Sequence, residues 1–310
     1  MNRDLVLMVT AFGGIALGVL FPGPAGIFTP FTLYLMMTIL FMSFLGINFA
    51  ALARLDRARM QELGLWTVIK LAALPLGLWA VAKLTVPEWA LPVLLLSGVP
   101  AGVTGPFFAQ MLGADTAGAL KIVVVTSVLA PFTLPGLVWL LEGANLNIPL
   151  FNMVRLLALV IFLPLILAWA VQRFFPGFPA RLAKVQFHIS VTFFFLINLG
   201  VFAPYAEFVR SQGALVLTAV LLSYALAAVF AGLPLGLGRA AGGRLDGLTG
   251  AVCLGFVNNV LALVFTARFF GPKSPLLAAA YMLPYFTLVI PLRLAARRRA
   301  AAGQGAASRP

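Results

Sequence analysis

The chain of 310 residues is 62% hydrophobic and only 9% charged, a balance that excludes a soluble domain and defines a polytopic membrane protein. Its formal charge of +13 does not indicate nucleic acid, because the basic residues stand in the gaps between apolar runs and form no patch on a soluble fold. Cys253, the single cysteine, lies inside an apolar run, which excludes a disulfide framework or a thiolate metal site within one chain.

About 20 apolar residues cross a bilayer core as a helix, and Pro, Gly or charge divide the sequence into ten such runs. Each is read as a helix, because an open strand leaves its backbone groups unsatisfied in lipid; no period-two alternation supports a barrel. The first run, near 5–21, follows Arg3 as a signal peptide would. It is read as a retained span because no small-residue cleavage site closes it and a second run, near 28–52, follows at once. The third, near 63–84, contains "WTVIKLAALPLG", in which Lys70 is flanked by apolar residues on both sides. The fourth, near 89–112, contains "SGVPAGVTGPFF". Its Pro100, Gly102, Gly105 and Pro106 break a helix at mid-depth, since proline removes an amide donor and glycine costs about 1 kcal/mol in a helix.

The fifth run, near 116–141, carries a second lysine at depth, Lys121; the sixth lies near 148–172, with Arg155 close to its outer end. The seventh, near 183–204, contains His188 and Asn198, and the eighth lies near 213–237. The ninth, near 247–270, contains "LGFVNNVLAL", where Gly255 precedes Asn258 and Asn259; the tenth lies near 274–295. A solvated basic tail, 300–310, is expected to be disordered.

With a cytoplasmic N-terminus, one set of loops carries Arg3, Arg54, Arg57, Arg59, Arg173, Arg181, Lys184, Arg239, Arg244, Arg293 and Arg297 to Arg299. The other set carries Lys83, Arg210, Arg268 and Lys273. That asymmetry places both termini in the cytoplasm, in an inner or plasma membrane. The two peculiar runs are the fourth of the first five and the fourth of the second five. Interrupted helices at corresponding places in two halves point to a transporter site, because freed backbone groups are tolerated only where they line a cavity or meet protein. The expected architecture is an all-α bundle of ten helices in a single domain over 1–299. It is a five-plus-five inverted repeat (about 5–141 and 148–295) in which broken helices 4 and 9 cross. Either break alone is equally explained by the ordinary frequency of Pro and Gly in membrane helices, and the asparagines by a bond to a neighbouring helix; their matched positions favour the crossing.

These motifs resemble the bile acid:sodium symporter family of ten-helix carriers, over most of the chain. The features that carry the resemblance are the Pro-x-Gly break followed by a Gly-Asp turn in "PAGVTGPFFAQMLGAD", Pro131 and Pro135 in "LAPFTLP", Gly255 to Asn258 on the ninth helix, and Pro75 on the third. The order and spacing are specific; no single element is. The resemblance implies two sodium ions near the crossing, but the positions of their side-chain ligands fall here on Gly105, Pro106, Ala119, Val123, Cys253 and Val257. None of these side chains offers an oxygen to a hard cation. The remaining family ligand, a glutamine on the third helix, falls on Lys70.

An ammonium thus stands where the relatives hold a cation. Snorkelling is the competing account, but Glu62 is eight residues away, roughly 12 Å along a helix. For Lys121, six residues from Asp115, flanking of the crossing and snorkelling stand level. Arg155 is read as an interfacial anchor and His188 as a buried histidine satisfied by a carbonyl. All eight acidic residues, Asp4, Asp56, Glu62, Glu88, Asp115, Glu142, Glu207 and Asp246, fall at span ends or in loops. Lys70 therefore either cycles its proton or stays charged and attracts an anion. The expectation is a secondary carrier of a small or amphipathic organic anion that works by alternating access, with the lipid bilayer as its setting. Coupling is to protons or absent, in place of sodium. Thr104, Gly102, Gly105, Asn258 and Asn259 line the substrate site, and Thr126 and Ser127 bond back to helix carbonyls. No cofactor, metal or nucleic acid is called for. A sodium symporter that uses backbone carbonyls is the alternative. A membrane enzyme is disfavoured because one His, one Cys and interfacial acids make no catalytic set; arsenite efflux is disfavoured because the first break lacks a cysteine.

Overall fold

The computed structural model describes residues 3–47, 57–143, 150–242 and 244–307, and among them every regular element is helical. Arg54 and Asp56, two of the loop charges used above, lie outside the described residues, as do 48–52 of the second expected span and the end of the tail. Seven stretches are long and apolar enough to cross a membrane: 22–44, 60–85, 116–142, 150–174, 178–211, 213–240 and 273–299. The chain is a polytopic helical membrane protein.

The N-terminal helix α1 (Arg3–Leu20) turns through α2 (Pro22–Gly26) into α3 (Thr32–Phe44). The third span is built from α4 (Arg57–Val68) and α5 (Leu74–Thr85), joined by a π-helical turn over Ile69–Ala73. In that turn the Leu74 amide reaches back five residues to the Ile69 carbonyl. Pro75 is the local cause: it has no N–H to give and its ring disfavours a regular α-turn behind it, so the helix widens at Lys70. Wide turns of this kind are frequent at functional sites.

The fourth expected span is α6 (Ala90–Gly98) and α7 (Gly105–Leu112), and the ninth is α13 (Gly247–Gly255) and α14 (Asn259–Phe269). Between them run α8 (Thr116–Glu142), α9 (Leu150–Phe174), α10 (Phe178–Phe202), the short α11 (Ala206–Ser211) and α12 (Gly213–Ala240). The last span departs from expectation, being divided into α15 (Lys273–Ala280), α16 (Met282–Thr287) and α17 (Val289–Ala307). Pro284 withholds the amide that would reach the Ala280 carbonyl, and the Ser223 hydroxyl of α12, which donates to the Val220 carbonyl at 2.8 Å, shares its hydrogen with the Ala280 carbonyl at 3.3 Å. α17 runs to Ala307, in keeping with the high helix propensity of its alanines.

Two packing groups emerge. α1 and α3 lie on α10, and α3 also lies on α9; a Cβ at Gly14 or Gly18 would sit 2.7 Å from a carbonyl oxygen of α10, the close approach that small residues permit between membrane helices. The other group packs α12 on α13 and α15, and α5 on α6. The two interrupted helices lie inside this second group.

Candidate functional site: the meeting of two broken helices

The two breaks meet end to end. Gly102 N–H donates to the Phe256 carbonyl at 2.6 Å and Asn258 N–H donates to the Pro100 carbonyl at 3.0 Å, so Ala101 and Val257 form an antiparallel bridge. Each break thereby satisfies the backbone groups that the other exposes, as a buried non-helical segment must. A further donor, Ala101 N–H, bonds the Thr126 hydroxyl of α8 at 3.2 Å. Thr126 also donates back to the Ile122 carbonyl, as expected; the Ser127 hydroxyl, expected to do the same, is buried without a partner among the described residues.

Lys70 is fully buried, and its amine donates to the Ser97 carbonyl at 2.9 Å. Ser97 lies in the last turn of α6, whose final carbonyls have no partner within the helix and carry its negative dipole end. The amine therefore caps the first broken half-helix. It also lies 5.3 Å from the centre of the Phe230 ring of α12, a distance at which the ring face attracts a cation. Snorkelling toward Glu62 does not occur: the Glu62 carboxylate instead accepts from the Trp66 indole and from the Asp246 amide.

At the second break the Tyr281 hydroxyl donates to the Gly255 carbonyl at 2.7 Å. Tyr281 is fully buried and its ring is 5.7 Å from that of Phe230. One end carbonyl of each broken helix is thus held by a side chain from a neighbouring span, and Phe230 stands between the two side chains. Replacing Tyr281 with phenylalanine leaves the Gly255 carbonyl buried without its donor, which costs about 1–3 kcal/mol. A fall of several degrees in the midpoint of a detergent-solubilised thermal melt is the expected result.

The positions on which the resemblance places sodium ligands are filled with apolar atoms. Ala119, Val123 and Cys253 are fully buried and Val257 is nearly so. A Cβ at Gly105 would be 3.3 Å from Val123, and the Cys253 thiol points at the Ala119 carbonyl at 4.0 Å. Pro106 is half-buried at the start of α7.

The expected substrate-site residues lie at the same crossing. Thr104 is exposed, its hydroxyl 2.6 Å from that of Tyr285, while Gly102 and Gly105 are buried. Asn258 turns its side-chain oxygen onto Leu261 N–H and caps α14. Asn259, 8% exposed, has no hydrogen-bond partner for either amide atom among the described residues. Sequence reasoning missed the aromatic wall beside them: Phe108 stacks on Phe256 at 3.8 Å, and Tyr285 stands edge-on to both. Tyr281 and Tyr285, four apart, fall on one helix face; that spacing was the available signal.

Lys121 lies elsewhere. It lines a cavity of about 30 Å³ with Glu62, Trp66, Asp115, Asp246 and Thr249, and Lys70 is not part of that lining. There the Asp246 carboxylate caps α13 through Leu248 and Thr249 and pairs with Arg299, and the Thr249 hydroxyl accepts from the Asp115 amide. Burial pushes the Asp246 carboxyl up, but bonds from Thr249 and the Arg299 guanidinium outweigh it and hold it below the ordinary aspartate range. A depressed carboxyl stabilises the fold above its unfolded value, about 4, and loses that contribution as pH falls through the folded value. Melting midpoints taken from pH 7 to pH 3 should therefore fall more steeply in the wild type than in Asp246→Asn.

His188 is exposed, 5.8 Å from the ring of Phe187; the expected burial is corrected. Asn198 is buried, with its amide donated to the Phe194 carbonyl and its oxygen unpartnered among the described residues. Arg155 is exposed, in keeping with an anchor.

Two interrupted apolar helices, joined by their breaks inside a bundle of spanning helices, define the class of membrane transport proteins with discontinuous helices at the centre. The comparison with known families specifies it further. The family described as "Sodium Bile acid symporter family" matches residues 30–212, more than half of the chain, and the chain belongs to it. The matched region ends before α12, so the second broken helix enters through its geometry alone. No curated protein matches the chain.

Proposed function

We propose that the protein is a secondary carrier of a small or amphipathic organic anion, in which the Lys70 ammonium takes the place of a captured cation. The observation that carries this reading is the buried amine on the Ser97 carbonyl: a positive group holds the negative end of a broken helix, as a bound cation would. A fixed ammonium at that depth attracts a carboxylate or sulfonate, and the half-buried Tyr285 and the exposed Thr104 offer hydroxyls beside an aromatic wall suited to an amphipathic body.

The seven long apolar stretches, α1 and the two interrupted helices make ten spans, within one domain over 1–299. The antiparallel pairing of breaks at the fourth place of each five supports an inverted repeat. The two packing groups supply a panel (α1, α3, α9, α10) and a core that rock against each other in alternating access. Both termini face the cytoplasm of an inner or plasma membrane, following the basic residues.

The family description favours the second reading, a sodium symporter with backbone ligands. Against it, the Ser97, Pro100, Gly255 and Phe256 carbonyls at the breaks each already accept a hydrogen bond. Uptake into proteoliposomes, with sodium and proton gradients imposed separately at fixed membrane potential, distinguishes the readings. Uptake that follows the proton gradient or neither gradient is expected; uptake that requires sodium overturns the lysine reading.

A further inference from the structure

The end of the bundle that carries the C-terminus holds a second cavity, of about 330 Å³, between α12, the start of α13 and α17. Arg239, Arg298 and Arg299 line it together with Leu235, Leu245 and Leu248. Among the described residues the charge there is only partly balanced by protein. Asp246 is the acidic group at this place, and Arg299 pairs with it; Arg239 and Arg298 have no ion-pair partner among the described residues. The first amides of α13 already bond Asp246, so the helix end contributes no free donor. Two guanidiniums remain over an apolar wall.

We propose that this cavity binds a phosphate group, the headgroup of an anionic phospholipid being its source. Guanidinium is the side chain that matches phosphate with paired N–H donors, and basic pockets between spanning helices hold anionic headgroups. The surroundings indicate a lipid. On α17, Ile290 and Leu294 are exposed, at 65% and 54%, and Arg298 follows at the same four-residue spacing, so one stripe runs from apolar to cationic. On α12, exposed Leu233 precedes Arg239. An acyl chain along these residues brings its phosphate to the two arginines.

The test titrates purified full-length protein in detergent micelles with dioctanoyl phosphatidylglycerol, dioctanoyl phosphatidylcholine and inorganic phosphate, followed by thermophoresis. The wild type is expected to bind the anionic lipid in preference to the zwitterionic one. Arg298→Gln and Arg239→Gln should each weaken that binding about ten-fold, the effect of losing one charge-assisted bond, while Arg268→Gln leaves it unchanged. Weakening confined to the lipid supports the headgroup as source, and weakening of inorganic phosphate as well assigns the site to the phosphate group itself. Equal binding of both lipids, or a double Arg239→Gln, Arg298→Gln variant that binds like the wild type, overturns the proposal. The substituted side chains are exposed, and unchanged melting midpoints in the variants show that a loss of binding is not a loss of fold.

Discussion

Replacing Lys70 with alanine should lower organic-anion uptake about a hundred-fold or more while the protein stays folded. A charge about 4 Å from a bound anion attracts it by on the order of 4 kcal/mol at the effective dielectric of protein sites, and each 1.4 kcal/mol is a factor of about ten. The fold loses less. Its direct cost is the Ser97 carbonyl left without a donor, about 1–3 kcal/mol, and deleting the ammonium also removes the desolvation penalty of a buried charge. The measurement is initial uptake of a labelled bile salt and of labelled lactate into proteoliposomes, beside a melt of the same preparation. Lys70→Gln, which introduces the glutamine that the resemblance implies at this position, should not create a sodium response, because Ala119, Val123 and Cys253 supply no oxygen ligands there. Uptake by Lys70→Ala equal to the wild type, with unchanged ion requirement, would sink the role given to the amine.

How much of this was legible follows from where each partner sits. Pro100, Gly102, Gly105 and Pro106 announce their break because they remove donors or disfavour a helix locally, and Gly255 with Asn258 does so more weakly. The burial of Lys70 was legible from the absence of an acid nearby; its partner was not. Ser97 contributes a backbone carbonyl, available only because α6 stops at Gly98, and no side-chain pattern marks that. Phe230 and Tyr281 read as ordinary apolar positions until the fold sets one against Lys70 and the other on Gly255. Glu62, Asp115, Thr249 and Asp246 looked like unrelated acids and hydroxyls at span ends, because partners as far apart as Glu62 and Asp246 meet only in the folded chain. The divisions of the last span were missed although Pro284 stood in view, since their outcome depends on Ser223 reaching the freed carbonyl.

The crossing itself predicts a strongly damaging substitution at Gly102. A Cβ on Gly102 would lie 2.6 Å from the Phe256 oxygen and 2.7 Å from the Val257 oxygen, and backbone oxygens in a bridge cannot turn aside as a side chain can. Gly102→Val must part the two breaks, and both the Gly102 to Phe256 and the Asn258 to Pro100 bonds open with them. Each backbone group left unmade away from water costs several kcal/mol, against a total stability of about 5–15 kcal/mol for a typical protein. The expected outcome is loss of folded protein, read as aggregation in size-exclusion chromatography, with no uptake from the remainder. Two other glycines separate this effect from the mere introduction of a side chain. At Gly105 the nearest atom is a methyl of Val123 at 3.3 Å, so Gly105→Ala needs only a small shift and lowers the melting midpoint modestly. At Gly77, within α5, nothing lies within 4 Å of the added carbon, and Gly77→Ala should stabilise the helix by roughly 0.5–1 kcal/mol. A Gly102→Val variant that elutes and melts like the wild type would mean that the two broken helices are not held together by this bridge.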